Sequence, residues 1–288
     1  MITLFIYNNV NYHYEIIESV IVNYCKIINK LNEVDKSIIN IYLECYENKI
    51  FKKYIAEKYP NIKLQKPETY DYFINCTIYE KNLLSNSIKL NSKKHYYISH
   101  EVTDKLLQYD NLYYLTDLAN KNIFHATILP FCSTNNGKIK DITKPPIFVI
   151  QGAMNPKRRD YKLLVKLLST SYQYDFKVEL IGKLKLPKIL YPFKERLIIK
   201  HNLNFIDFHK KFLDCYGILP LITKTSHSQY YSRKLTSSIN YAKAYNLKCL
   251  IDKDLQDIYH LDNVEVFNDI TDIVSSFFKI LKEYYNNN

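Results

Sequence analysis

The chain has 288 residues, enough for one large domain or two ordinary ones, and 47% are hydrophobic, enough to bury a sizeable core. A formal charge of +11 accompanies 28 Tyr, 4 Gly and no Trp, and the excess of Asn, Lys, Ile and Tyr reads as A/T-rich coding bias, so the charge implies a solvated lysine surface before it implies a nucleic-acid partner. The six cysteines form no CxxC pair, which disfavours zinc and a disulfide framework, and no apolar run nears the roughly 20 residues that span a bilayer. Buried thiols of a reducing compartment fit better, so a cytoplasmic location is expected, with peripheral membrane contact left open. The opening MITLFIYNN is short and lacks a basic leader, and reads as a first strand.

That strand covers residues 2–8. Residues 14–31 carry Ile16, Ile17, Val20, Ile21, Tyr24, Ile27, Ile28 and Leu31 at i, i+3, i+4 spacing, which predicts a helix. Residues 37–45 read as a second strand and 50–59 as a second helix, ended by Pro60. IKLQ, YDYFINCTIY, HYYISH, NLYYLT and IFHATILPF follow as further strands. Such alternation implies parallel strands with helical crossovers. A polar stretch, STNNGKIKDITKPP, then breaks the pattern and reads as a linker. It divides the chain into domains of 1–140 and 141–288. The second half restarts with PIFVIQG. It continues through helix YKLLVKLLSTSY, strands FKVELIG and LIIKHNLNF, helix DFHKKFLDCY, strand GILPLI, a loop and helix over 230–245, strand KCLID, helix DLQDIY, strand VEVF and a last helix over about 269–284. The broad apolar set of that last helix predicts that Phe277, Phe278 or Leu281 reaches residues below 140.

Two basic, hydroxyl-rich turns of the second half point to chemistry. In IFVIQGAMNPKRRDY, Gly152 ends a strand and Arg158 and Arg159 follow. In YYSRKLTSSINYAKAY, Lys234 precedes Thr236, Ser237 and Ser238 at the start of a helix. A helix start presents unpaired N–H groups and a positive dipole end, which suit phosphate. Two such turns suggest a diphosphate ligand. Gly152 and Gly182 each end a buried-looking strand, where a residue without Cβ lets a ligand or another backbone approach.

On these motifs the second half resembles the C-terminal domain of GT-B glycosyltransferases, and its wording is similar to glycosyltransferase-like proteins of large DNA viruses. The resemblance covers residues 145–285. It implies an α/β fold of two Rossmann-like domains facing a cleft. It further implies a nucleotide-sugar donor clamped by Lys234, Thr236, Ser237 and Ser238 and met by the Tyr231 hydroxyl in place of an acid, a diphosphate neutralised by Arg158 and Arg159, and a glycan, protein or lipid acceptor. The donor is a substrate; no cofactor and no metal are implied. His100, at a strand end, and Glu101 beside it are the candidate bases. The stretch 226–248 holds no Asp or Glu, so the acidic contact that many retaining members make is missing or moved, and Tyr230, Ser228 and Thr225 are substitutes for it. His227 is a further phosphate candidate. The rival expectation is a non-catalytic nucleotide-sugar-binding or scaffold protein of the same fold; a nucleic-acid binder stands third.

Overall fold

A computed structural model describes residues 2–28, 31, 38–46, 48–83, 94–125, 144–170 and 173–286. The predicted linker lies mostly outside these residues, as does most of IFHATILPF. The chain divides into two compact units, Met1–Leu129 with Ser232–Leu235, and Pro130–Tyr231 with Thr236–Asn288. A single cut near residue 140 thus leaves out one strip. Ser232–Leu235 joins the first unit through a bridge between Glu101 and Lys234 and through the Val102 N–H, which donates to the Arg233 carbonyl at 2.8 Å.

The first unit runs β1 (Ile2–Asn8), α1 (Tyr14–Asn23), β2 (Ile39–Cys45), α2 (Lys49–Lys58), β3 (Tyr72–Ile78), a short α3 (Glu80–Leu83), β4 (His95–Ser99) and β5 (Leu112–Tyr114). The five strands are parallel, in the order β2-β1-β3-β4-β5. That order reverses between β1 and β3, the switch point at which open α/β sheets hold ligands. The residues predicted as one helix over 14–31 do something more specific. Regular helix ends at Asn23 and a 3-10 turn, Tyr24–Lys26, follows, yet Tyr24, Ile27, Ile28 and Leu31 are still buried. Within IKLQ only Lys63 pairs, bridging Tyr42. Asn48 caps α2, accepting from the Phe51 N–H at 3.0 Å.

The second unit runs β6 (Ile147–Gln151), α4 (Tyr161–Thr170), β7 (Lys177–Gly182), a 3-10 segment (Lys188–Arg196), β8 (Leu197–His201), α5 (Phe205–Leu213), β9 (Gly217–Ile218), α6 (Gln229–Ser232, whose last residue belongs to the first unit), α7 (Ser237–Tyr245), β10 (Lys248–Asp252), α8 (Lys253–Tyr259), β11 (Val264–Phe267) and α9 (Ile273–Asn286). Its six strands are parallel in the order β11-β10-β9-β6-β7-β8, the arrangement of dinucleotide-binding folds, with its switch point between β6 and β9. The core is aromatic at its centre. Phe148, Phe176 and Phe277 meet edge to face, with Phe277 centroids 5.0 and 5.1 Å from the other two. The broad apolar face that suggested a crossing by α9 to residues below 140 is used inside this unit. Phe277, Ile280 and Leu281 are fully buried in its core, Phe278 lies against Tyr174, and the Tyr284 hydroxyl donates to the Lys144 carbonyl.

Candidate functional site

In the second unit the chemistry gathers where β6 ends and α7 begins. Gly152 has φ +103°, a backbone state that side chains resist, and its N–H donates to the Ile181 carbonyl. A Cβ on Gly182 would lie 1.8 Å from the Gly152 carbonyl oxygen, so the two strand ends touch main chain to main chain. The arginines of the turn part company. Arg158 is exposed. Arg159 is buried, its Nη2 donating to the Gln151 carbonyl at 2.9 Å and to Ser238 Oγ at 3.2 Å, and its Nη1 to the Arg158 carbonyl. Burial lowers its proton affinity from the usual arginine value. Gln151 Nε2 reaches Ser237 Oγ at 2.7 Å and Ser238 Oγ at 3.3 Å.

Two polar atoms stand out here. Thr236 is the N-cap of α7, yet its side chain does not cap the helix; Oγ1 is buried without a hydrogen-bond partner, and so is Arg159 Nε. Buried polar atoms are otherwise nearly always paired. Beside a left-handed glycine at a strand end, a helix start, two serine hydroxyls and a guanidinium with a spare N–H form a set of donors suited to an anion.

The remaining sequence-predicted residues surround this set or lie apart from it. His227 is buried, with Nε2 donating to the Pro156 carbonyl at 3.2 Å and Nδ1 2.7 Å from Ser226 Oγ, so it fastens the 223–228 loop to the Gly152 turn. Burial lowers its proton affinity. Tyr231 donates to the Ile222 carbonyl and is also hydrogen-bonded to Asp252, whose carboxyl is raised above its usual range by burial. Asp252 ends β10 and caps α8. It supplies an acid just beyond the acid-free stretch 226–248, where no sequence signal other than its strand-end position marks it. Lys234, by contrast, belongs to the first unit's strip, its Nζ 3.3 Å from Glu101 Oε2. The nearly buried Glu101 also accepts from the Glu80 N–H at 3.0 Å.

In the first unit His100 follows β4 and its ring lies against that of His13, with centroids 3.8 Å apart and the planes tilted by 32°. His13 was not legible as a site residue. It is the N-cap of α1 at φ +63°, with Nε2 3.2 Å from the Tyr79 hydroxyl and Nδ1 3.4 Å from Glu15. The group thus collects at the carboxyl ends of β1, β3 and β4. Burial first, then the His13 ring, holds the His100 imidazole well below its ordinary proton affinity. His100 Nε2 lies 3.3 Å from the Cys76 carbonyl, which can only accept, so Nε2 carries the proton and Nδ1 is the basic atom. Among the described residues no group of three or more His, Cys, Asp or Glu is arranged to hold a metal ion, and no helix is long and apolar enough to cross a membrane.

No protein-family model matches the sequence, and no curated protein matches it. Solved structures do match over nearly its whole length. The Anabaena protein HepE, in complex with UDP and glucose, is similar at TM-score 0.58 and 8% identity, over 99% of this chain and 92% of that one. AviGT4, a glycosyltransferase of avilamycin A biosynthesis, gives 0.56 and 8% over 100% and 93%. The UDP-GlcNAc 2-epimerase of Neisseria meningitidis, bound to UDP-GlcNAc, gives 0.55 and 11% over 99% and 93%. At such identities the likeness is one of fold. The protein has the α/β architecture of two Rossmann-like units shared by GT-B glycosyltransferases and UDP-GlcNAc 2-epimerases.

Proposed function

We propose that the second unit binds the diphosphate of a nucleotide-sugar and that the protein transfers the sugar to an acceptor. The observation that carries this reading is the start of α7. Its N-terminal N–H groups lack a side-chain cap, the buried Thr236 Oγ1 and Arg159 Nε are unpartnered, and Arg159 Nη2 lies 3.6 Å from where a Cβ on Gly152 would sit. In this reading Arg159, Ser237, Ser238 and the α7 amides take the phosphates, Arg158 adds a solvent-side cation, Gly182 permits the close approach of the two strand ends, and Asp252 with Tyr231 contacts the sugar or ribose. Donors fixed in advance stabilise the charge that develops on a leaving diphosphate, and losing one costs about 10²–10³ in rate at comparable sites. His100, kept neutral, is the group able to take the acceptor's proton. Glu101, already shared by Lys234 and the Glu80 N–H, is less suited to that task. Those same ties favour, as the second reading, a protein that binds a nucleotide-sugar without turning it over.

Calorimetry with nucleoside diphosphates and their sugars, on the wild type and on Thr236→Asp, tests the donor site. Aspartate is a better N-cap and complements the helix dipole, so the fold should hold or gain stability, by up to about 1 kcal/mol. Its charge repels diphosphate, so affinity should fall at least about tenfold, or 1.4 kcal/mol. Equal affinity in the two proteins overturns the donor site. Mass analysis of the sugar after incubation then separates transfer, epimerisation and simple binding.

A further inference from the structure

Between β7 and β8 the chain presents a basic, apolar surface that the donor site does not use. Residues 183–194 read KLKLPKILYPFK, with four lysines and no acid. The segment is fixed from beneath. Leu190 is fully buried in the second unit's core, and Leu186 and Phe193 pack against that core. The side chains between these anchors are therefore held outward. Leu184, Ile189 and Tyr191 are 56%, 43% and 46% exposed, and Lys183, Lys185, Lys188 and Lys194 are exposed around them. Three of the nine large exposed hydrophobics among the described residues thus fall within eight positions, where scattered single ones are the ordinary case. Leu184 is held in a left-handed backbone state, φ +76°, and the Lys194 ammonium sits 4.7 Å from the Tyr191 ring centre.

We propose that this surface docks the protein on an anionic phospholipid bilayer. Aliphatic tips ringed by lysines suit acyl chains beneath acidic headgroups, and a tyrosine suits the interface between them. A nucleic acid would call for several stacking aromatics instead of leucine and isoleucine. The occupant follows from charge complementarity, since residues 183–196 carry apolar tips, four lysines and Arg196 against a single carboxylate, the exposed Glu195. The proposal is independent of the donor reading.

Co-sedimentation with vesicles decides it. The full chain is mixed with phosphatidylcholine vesicles, pure or with about one third phosphatidylserine, at low and high salt. Binding is expected to the anionic vesicles only, and to weaken with salt. Lys185→Gln with Lys188→Gln should lower partitioning about thirtyfold. The charge-matched control, Lys162→Gln with Lys210→Gln, both exposed elsewhere in the unit, should stay within about threefold of wild type. Leu184→Ser with Ile189→Ser and Tyr191→Ser should abolish binding with unchanged melting; if its melting falls, the lysine pair decides. Failure of the wild type to bind, or equal loss in the control, overturns the proposal. So does a single-stranded oligonucleotide that binds through the same lysines and displaces the vesicles.

Discussion

The two units are both parallel α/β layers, yet they secure their helices with a different balance of polar ties and rings. In the first, α1 and α2 meet through a ring pair, Tyr14 and Phe51 at 4.6 Å, and through one buried carboxylate. Glu18 Oε1 accepts from the Tyr54 hydroxyl at 2.6 Å, the Lys58 ammonium at 2.7 Å and the Tyr59 hydroxyl at 3.0 Å. In the second, rings predominate, beside a buried hydrogen bond between His209 of α5 and the Tyr245 hydroxyl of α7 at 2.6 Å. Phe277 of α9 wedges against Phe148 and Phe176, while Phe212 of α5 stacks on Tyr241 of α7 at 4.6 Å and 6° between planes. A polar hub holds only while every partner is present, because each orphaned donor is costly to bury. An aromatic core loses stability in proportion to the volume removed. A tyrosine-rich chain without tryptophan can build both, since tyrosine offers a ring and a hydroxyl: Tyr54 and Tyr59 give hydroxyls to Glu18, and Tyr241 gives a ring to Phe212.

The contrast can be broken most directly at Phe277. Phe277→Ala empties the centre of the second core and should cost about 3–5 kcal/mol, read from denaturant midpoints, with the first unit's transition unmoved. Next comes Gly182→Ala. Its Cβ would sit 1.8 Å from the Gly152 carbonyl oxygen, a main-chain contact that cannot rotate away, so about 3 kcal/mol or more is expected. Glu18→Gln, which keeps the hub's shape but removes its charge, should cost about 1–2 kcal/mol, in the first unit alone. A Glu18→Gln loss as large as that of Phe277→Ala would mean that the first unit depends on its hub as heavily as the second depends on its core.

The strands that read most clearly in the sequence are those bounded by punctuation: residues 2–8, 248–252 and 264–267 match β1, β10 and β11. The apolar pattern over 14–31 reported burial rather than helix, because a 3-10 turn keeps nearly the same face inward. At the end of β6 and the start of α7, Gly152, Arg159, Ser237 and Ser238 were legible as a phosphate-type cluster, and the structure brings them together. Which of two adjacent arginines turns inward was not legible, since neighbours in a turn point apart and only the Ser238 hydroxyl and the Gln151 carbonyl decide it. Gln151 and His13 carry no local signature, and Asp252 carries only its place at a strand end. They acquire partners 86, 66 and 21 residues away, Ser237, Tyr79 and Tyr231, which only the folded topology supplies.

Acid should sharpen the comparison from another side. The proton affinities of His100 in the first unit and His227 in the second are both lowered, chiefly by burial. Above about pH 6.5 both states of each histidine are neutral and neither contributes. As pH falls through that value, the unfolded chain takes up protons that the native state refuses, so stability drops. His100→Gln should flatten this slope for the first unit and His227→Gln for the second, in melting curves between about pH 7 and pH 5. The larger change belongs to His100, whose affinity is lowered further.

The smallest effect is expected at Lys234, and it bears on which unit owns that residue. The Lys234–Glu101 pair spans 3.3 Å, with the lysine about one third exposed. Pairs so open to water contribute about 0–1 kcal/mol, and Glu101 keeps its bond from the Glu80 N–H when the lysine is lost. Lys234→Met retains the aliphatic stem, so it should cost under about 1 kcal/mol, all of it in the first unit. Calorimetry on the same variant reads the second point. If Arg159 and the start of α7 hold a diphosphate, as proposed, Lys234, with its charge spent on Glu101, should add little, and affinity should stay within about twofold of wild type. A loss of about tenfold or more would return Lys234 to the donor clamp and make its contact with Glu101 a resting position that the ligand replaces.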